Sequence, residues 1–197
     1  QHRNNAFVKL GTFLSQFSNK RIEKKDNIEH NELFFEGFLH QIKLAKEHNG
    51  WFTKENIIYA IENWSKALTV SNLNTWLEKY NFNNVNEQTI AIIMAGNIPL
   101  VGLHDLISVL IAGHKALIKP SSDDAKLIPF VCQMLIAIEK DFATTIELAD
   151  GQMKDFDAVI AAGFGPENFD EATIGAWLNF YVQARVVPEA ARLLRVY

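Results

Sequence analysis

The chain has 197 residues, 48% of them hydrophobic and 21% charged, so it can bury a full core in one or two domains and is ordinary for a globular protein. A net charge of −4 gives no electrostatic ground for a nucleic-acid or anionic-membrane partner, and neither is expected. The one cysteine excludes an internal disulfide, no apolar run reaches the roughly 18 residues of a membrane span, and the start, QHRNNAFVKLG, carries no signal-like apolar segment; a cytoplasmic location is expected.

Residues 1–86 read as a helical region. Phe7, Leu10, Phe13, Leu14 and Phe17 follow helical spacing. A polar break covers Asp26 to Asn31. A wide apolar face then runs through Phe34, Phe35, Phe38, Leu39, Ile42 and Ala45, and Asn49-Gly50 stops it. Thr53 is the expected N-cap of a helix carrying Ile57, Ile61, Trp64 and Leu68 on one face. Ser71 is the expected cap of a short helix with Leu73, Trp76 and Leu77. Residues 81–86 form a turn-rich linker. The aromatic density predicts a helical layer packed on a sheet domain, with a groove for an acyl chain as the sharper alternative.

Residues 87–163 read as a Rossmann-like segment. An apolar run, Ile90 to Met94, ends in Ala95-Gly96-Asn97. A helical pattern spans about Gly102 to Ala112, Gly113 closes it, and a second run, Lys115 to Ile118, ends in Lys119-Pro120. Strand, helix and strand in this length make a βαβ unit. Short apolar strands separated by a helix predict a parallel sheet covered on both faces, with ligands outside the carboxyl ends of the strands. The polar groups there are Asn97 after the first strand and Lys119, Ser121 and Ser122 after the second. Asp123 and Asp124 stand at the start of the next helix, favoured by its dipole; that helix ends near Lys140 and holds Cys132 among apolar neighbours. Third and fourth strands are expected at Thr144 to Leu148 and Ala158 to Ala161. His104 and Asp105 form an adjacent pair at a helix start, read as packing and dipole support rather than acid–base work; His114 has no assigned role. Residues 164–197 read as a helical tail, with Ile174, Trp177, Leu178, Tyr181 and Val182 on one face and a break at Pro188. The fold class is therefore α/β: an N-terminal helical layer, a Rossmann-like parallel sheet and a helical C-terminal tail.

The segments AGNIPLVGLHDLISVLIAGHKALIKPSSDD and MKDFDAVIAAG resemble the acyl-CoA reductase family, the LuxC-type fatty-acid reductases of the aldehyde dehydrogenase superfamily, over about residues 4–162. Asn97-Ile98-Pro99-Leu100 resembles the superfamily's Asn-Phe-Pro-Leu, and the run from Ala112-Gly113-His114 to Lys119-Pro120-Ser121 resembles its Ala-Gly-Asn and Lys-Pro-Ser segment. The resemblance implies an NADPH-dependent oxidoreductase. A cysteine attacks the thioester of a fatty acyl-CoA, or of an acyl group delivered by a carrier, and hydride from NADPH releases the aldehyde. Asn97 would donate its amide to the oxyanion that develops in the transition state. Lys119 would bind the adenosine ribose or its 2′-phosphate, Ser121 and Ser122 would add hydroxyls, and Gly163 would lie against the cofactor; no metal is implied. Read from the residues alone, Asn97 is also a turn residue before Pro99 and Lys119 a solvated lysine at a strand end.

Two departures bear on activity. The single cysteine, Cys132, does not match the family's nucleophile, and its apolar helix points to a core thiol. After Ala161 the family's Gly-Ser/Thr loop is replaced by Ala162-Gly163-Phe164-Gly165-Pro166, where nothing beyond Gly163 fits. The tail, about 168–197, resembles the C-terminal domain of BetI-like TetR-family regulators, a region of ligand binding and dimerisation, through Ala176-Trp177-Leu178, Phe180-Tyr181, Pro188 and Arg192 to Tyr197. All lysines lie at or before Lys154, whereas Arg185, Arg192 and Arg195 crowd the end, which suggests a junction near 163–168. The expectation is the nucleotide-binding part of a reductase, truncated before its cysteine. The alternative is a non-catalytic α/β interaction module, or an artificial fusion, whose tail forms a homodimer. A transcriptional regulator is set aside because no basic reading helix is seen.

Overall fold

The computed structural model describes residues 2–82 and 85–161. Four helices come first: α1 (His2–Leu14), α2 (Asn31–His48), α3 (Lys54–Ala67) and α4 (Val70–Leu77). They form because their apolar residues recur at helical spacing. The Thr53 hydroxyl caps α3, accepting from the Asn56 N–H at 3.2 Å. The cap of α4 is Thr69 and not Ser71; Thr69 accepts from the Asn72 N–H at 3.2 Å. A cap must precede the first turn with extended backbone, and Ser71 already lies inside it.

The rest is β1 (Thr89–Ile93), α5 (Leu103–Ile111), β2 (Lys115–Lys119), a 3₁₀ turn (Ser122–Asp124), α6 (Leu127–Ile138), a second 3₁₀ turn (Lys140–Thr144), β3 (Ile146–Leu148) and β4 (Ala158–Ala161). The expected α/β architecture is present. The four strands make one parallel sheet in the order β3-β2-β1-β4. Gly113 closes α5 at φ +92°, where a side chain would be strained. The third strand begins two residues later than the Thr144 expected from the sequence, because residues 140–144 wind as 3₁₀.

Registered neighbours share a face, and alternate rows face opposite ways. Ile146, Ala116, Ile90 and Ala158 form one row and Leu148, Ile118, Ile92 and Ile160 another. Seven of these eight, all but the half-exposed Leu148, pack into the main core with α1, α2, α5 and α6. The row between them, Leu117, Ala91 and Val159, belongs to a separate small cluster with Met153, Phe156 and Ala149. Chain direction explains this. The β1-α5-β2 and β2-α6-β3 crossovers step the same way along the sheet, so right-handedness puts both helices on one face. The return from β3 to β4 passes back over β2 and β1 and so crosses the opposite face. The connection that makes it, residues 149–157, contains no helix. The expected cover on both faces is present: among the described residues helices cover one face and a loop the other.

The helical layer is continuous with this core. The Phe7 ring lies 5.6 Å from Phe142, Phe38 lies 5.4 Å from Phe130, and Phe17 stacks on Phe35 at 5.0 Å. The aromatic stripe read from the sequence is therefore largely core.

Candidate functional site

In the order β3-β2-β1-β4, the crossovers reverse direction at β1. Open α/β sheets bind ligands at such a switch point, outside the carboxyl ends of the strands. Two segments described here lie at that end. One is the turn after β1, Ala95 to Leu100; the other is Pro120 to Asp124 after β2.

The two turns are packed together. A Cβ on Gly96 would collide with the Ser121 hydroxyl and would lie 2.6 Å from the Asp123 Cβ, so this position has room only for glycine. Asn49, at the end of α2, donates its side-chain amide to the Gly96 carbonyl at 2.8 Å and accepts from the Trp51 N–H at 2.9 Å. Leu100 is buried at φ +60°, a conformation that costs a branched side chain energy. Its N–H donates to a carboxylate oxygen of Asp124 at 3.2 Å. Burial raises the Asp124 carboxyl to about 6, against the opposing pull of the Leu100, Leu127 and Ile128 N–H groups.

Of the residues expected from the sequence, four lie at this end. Asn97 is exposed and lines a groove of about 530 Å³ with Trp51, Asn56, Tyr59, Ala60, Ile98 and Pro99. Trp51 is 77% exposed, Tyr59 66% and Ile98 55%, an aromatic and aliphatic rim unusual on a surface. Lys119 is exposed at the end of β2, and among the described residues no carboxylate is within ion-pair distance of it. The Ser121 hydroxyl accepts from the Asp123 N–H at 3.2 Å and keeps its own proton to donate; Ser122 is exposed. Gly163 lies outside the described residues, as does the tail. A free ammonium and two hydroxyls beside a switch point fit the ribose and phosphate groups of a dinucleotide. The Asp123 carboxylate beside Ser121 works against a second phosphate there, and Lys119 offsets it.

Sequence reasoning missed Asn49, Trp51, Tyr59 and Asp124 as parts of this end. Their role depends on contacts far along the chain, which no local pattern carries. His104 Nδ1 lies 3.6 Å from the Asp105 carboxylate. Asp105 stands in the first turn of α5, and the His104 ring packs 5.6 Å from Trp76. His104 also helps line a cavity of about 480 Å³ between α3 and α4, with Trp64, Leu68 and Leu73. Cys132 is buried on α6, and burial pushes its thiol up to about 12, so it is neither ionised nor accessible.

The chain is similar to proteins named HTH-type transcriptional regulator BetI. The relative from Brucella suis biovar 1 is 32% identical over 74 residues, 38% of this chain and 37% of the relative. That from Brucella anthropi is 31% identical over 74 residues, covering 38% of each chain. That from Agrobacterium fabrum is 30% identical over 71 residues, 36% of this chain and 34% of the relative. The chain thus spans little more than a third of the length of the curated relatives it matches. No family model and no solved structure matches it.

These matches correct the functional expectation. The relatives are named as transcriptional regulators, not as oxidoreductases, and acyl-CoA reduction with its fatty acyl partner is overturned. The structure supplies a physical reason: the single cysteine is a core thiol. The expected absence of a nucleic-acid partner is overturned as well, since transcriptional regulation by a helix-turn-helix protein is a nucleic-acid role. Net charge averages over the chain and does not report on a local surface. Nothing specific supports the fusion or interaction-module alternative, whose tail lies outside the described residues. Among those residues, no helix is long and apolar enough to cross a membrane.

Proposed function

We propose that this chain is a nucleotide-responsive regulatory protein: its sheet binds NADPH without turning it over, and it acts in transcriptional control. The regulatory part rests on the similarity to the BetI regulators. The binding part rests on Lys119, exposed and with no carboxylate among the described residues in ion-pair reach, at the end of β2 beside the Ser121 hydroxyl and the switch point. The resemblance of residues 4–162 to LuxC-type reductases supports a dinucleotide at this end, as retained binding and not retained chemistry. Lys119 holds the ribose or its phosphate, Ser121 and Ser122 donate hydroxyls, and the groove beside Asn97 receives the other end of the ligand. The buried Cys132 leaves the chain without a thiolate to form a thioester.

The test is an NADPH titration by fluorescence, with NADH as control and Lys119→Ala alongside. Saturable binding is expected, about tenfold weaker in the variant, as for the loss of one charge-assisted contact. NADPH absorbance stays constant when acyl-CoA is added. A parallel anisotropy titration with duplex DNA from upstream of the gene is expected to respond to NADPH. A folded sample that ignores millimolar NADPH sinks the binding half. Indifference of the DNA titration to both protein and nucleotide sinks the regulatory half.

A further inference from the structure

Asp124 is 3% exposed and carries a carboxylate whose two oxygens serve different elements. Oδ2 accepts from the Leu100 N–H at 3.2 Å, three residues after Asn97. Oδ1 accepts from the Leu127 N–H at 3.2 Å, at the first residue of α6. The position before that helix, Lys126, makes no side-chain cap bond, so Asp124 caps α6 from outside it. Leu100, at the other oxygen, is held at φ +60° with its side chain fully buried. A branched residue stays in that region only where its surroundings over-determine it, and here the surroundings are this carboxylate and the core. Among the described residues, its surroundings act on it through burial and the Leu100, Leu127 and Ile128 N–H groups. Of its charged neighbours in sequence, Asp123 is exposed and Lys126 half-buried.

We propose that Asp124 is a positioning residue: its buried carboxylate locks the Asn97–Leu100 turn to the start of α6 and so holds both turns of the nucleotide site in one arrangement. The inference builds on the NADPH reading but is tested separately from it. Gly96 wedged against Ser121 and Asp123 transmits the arrangement sideways, since neither turn shifts without the other. Lys119 and Ser121 on one side and Asn97 on the other are thereby set before ligand arrives, which lowers the ordering cost of binding.

The experiment pairs amide hydrogen exchange with NADPH titration in the full chain, for wild type, Asp124→Asn and Asp124→Ala. The alanine variant is expected to lose protection at both Leu100 and Leu127, while Ile92 and Leu135 in the core keep theirs. The asparagine variant retains one acceptor oxygen and is expected to keep protection at one of the two amides. Both variants are expected to bind NADPH about tenfold more weakly. A merely structural role would lower protection throughout the sheet and leave the affinity of the folded fraction unchanged. Unchanged exchange at Leu100 and Leu127 in either variant overturns the proposal. So does an unchanged affinity in the asparagine variant when wild type binds. If wild type itself ignores NADPH, the nucleotide reading fails, and the exchange pattern alone decides whether Asp124 holds the turns.

Discussion

At the scale of single residues, the carboxyl end of the sheet is held by side chains with no slack. Gly96→Ala drives a methyl group into Ser121 and Asp123. Overpacking of this kind costs about 1–3 kcal/mol. Urea unfolding is expected to show that loss, and NADPH titration a weaker complex. Asp124 makes a prediction of opposite character. Its carboxyl titrates at about 6 in the fold against an ordinary 3.8, so the folded state holds the proton more tightly than the unfolded chain. Its contribution to stability is fully present below pH ~3.8 and is lost as pH rises through about 6, roughly 3 kcal/mol in all. Relative to wild type, Asp124→Asn is therefore expected to gain stability steadily between pH 4 and pH 6 and to level off above pH 7. A constant difference between the two across that window would remove the titrating group from the account.

At the scale of elements, the two faces of the sheet differ in how they are covered. Helices α5 and α6 seal one face, while Met153, Phe156 and Ala149 of a loop cover the other. Met153→Ala is expected to cost about 2–4 kcal/mol and to raise exchange at Ala91 and Val159 before it raises exchange at Ile90 or Ile92. Equal loosening of both faces would contradict the separate clusters. The strands and α5 were legible in the sequence because short apolar runs and a glycine stop are local signals. Thr53 was legible as a cap for the same reason. Cover on both faces was legible too, but its kind was not, because a sheet buried on both sides gives continuous apolar strands whether a helix or a loop lies over it. Asn49 and Asp124 were not legible at all as parts of the site. Their partners lie 47 and 24 residues away, and nothing in the flanking sequence announces them. Asn97, Lys119, Ser121 and Ser122 could be picked out as polar groups at strand ends; their joining through Gly96 could not.

At the scale of the whole molecule, one buried core runs from α1 through α6 to the sheet. Gly11 of α1 lets its helix approach Leu68 so closely that a Cβ there would sit 2.7 Å from the Leu68 Cβ. A segment beginning at residue 87 would leave the surfaces facing Phe7 and Phe38 uncovered. It is expected to be collapsed without a fixed core, with poor amide dispersion in NMR spectra, whereas residues 1–161 give one cooperative transition. A well-dispersed spectrum from the isolated segment would show that the helical layer is dispensable.

The unhelical return over the sheet also has a consequence for how the molecule is made. β1 meets β2 about 26 residues on, a short loop to close, but the Thr89 N–H waits for the Asp157 carboxylate 68 residues downstream. Closing the longer loop costs more entropy, and the chain leaves the ribosome from its beginning. The layer of helices and the first three strands can therefore assemble while β4 is still being synthesised, with one edge of β1 bare in the interval. β4, the last of the described strands to arrive, completes the very crevice that a ligand would enter. On the proposed NADPH reading, binding competence is then a late property of the nascent chain, and a pause in synthesis between residues 149 and 157 would prolong the time for which that edge is open to a chaperone or to another chain.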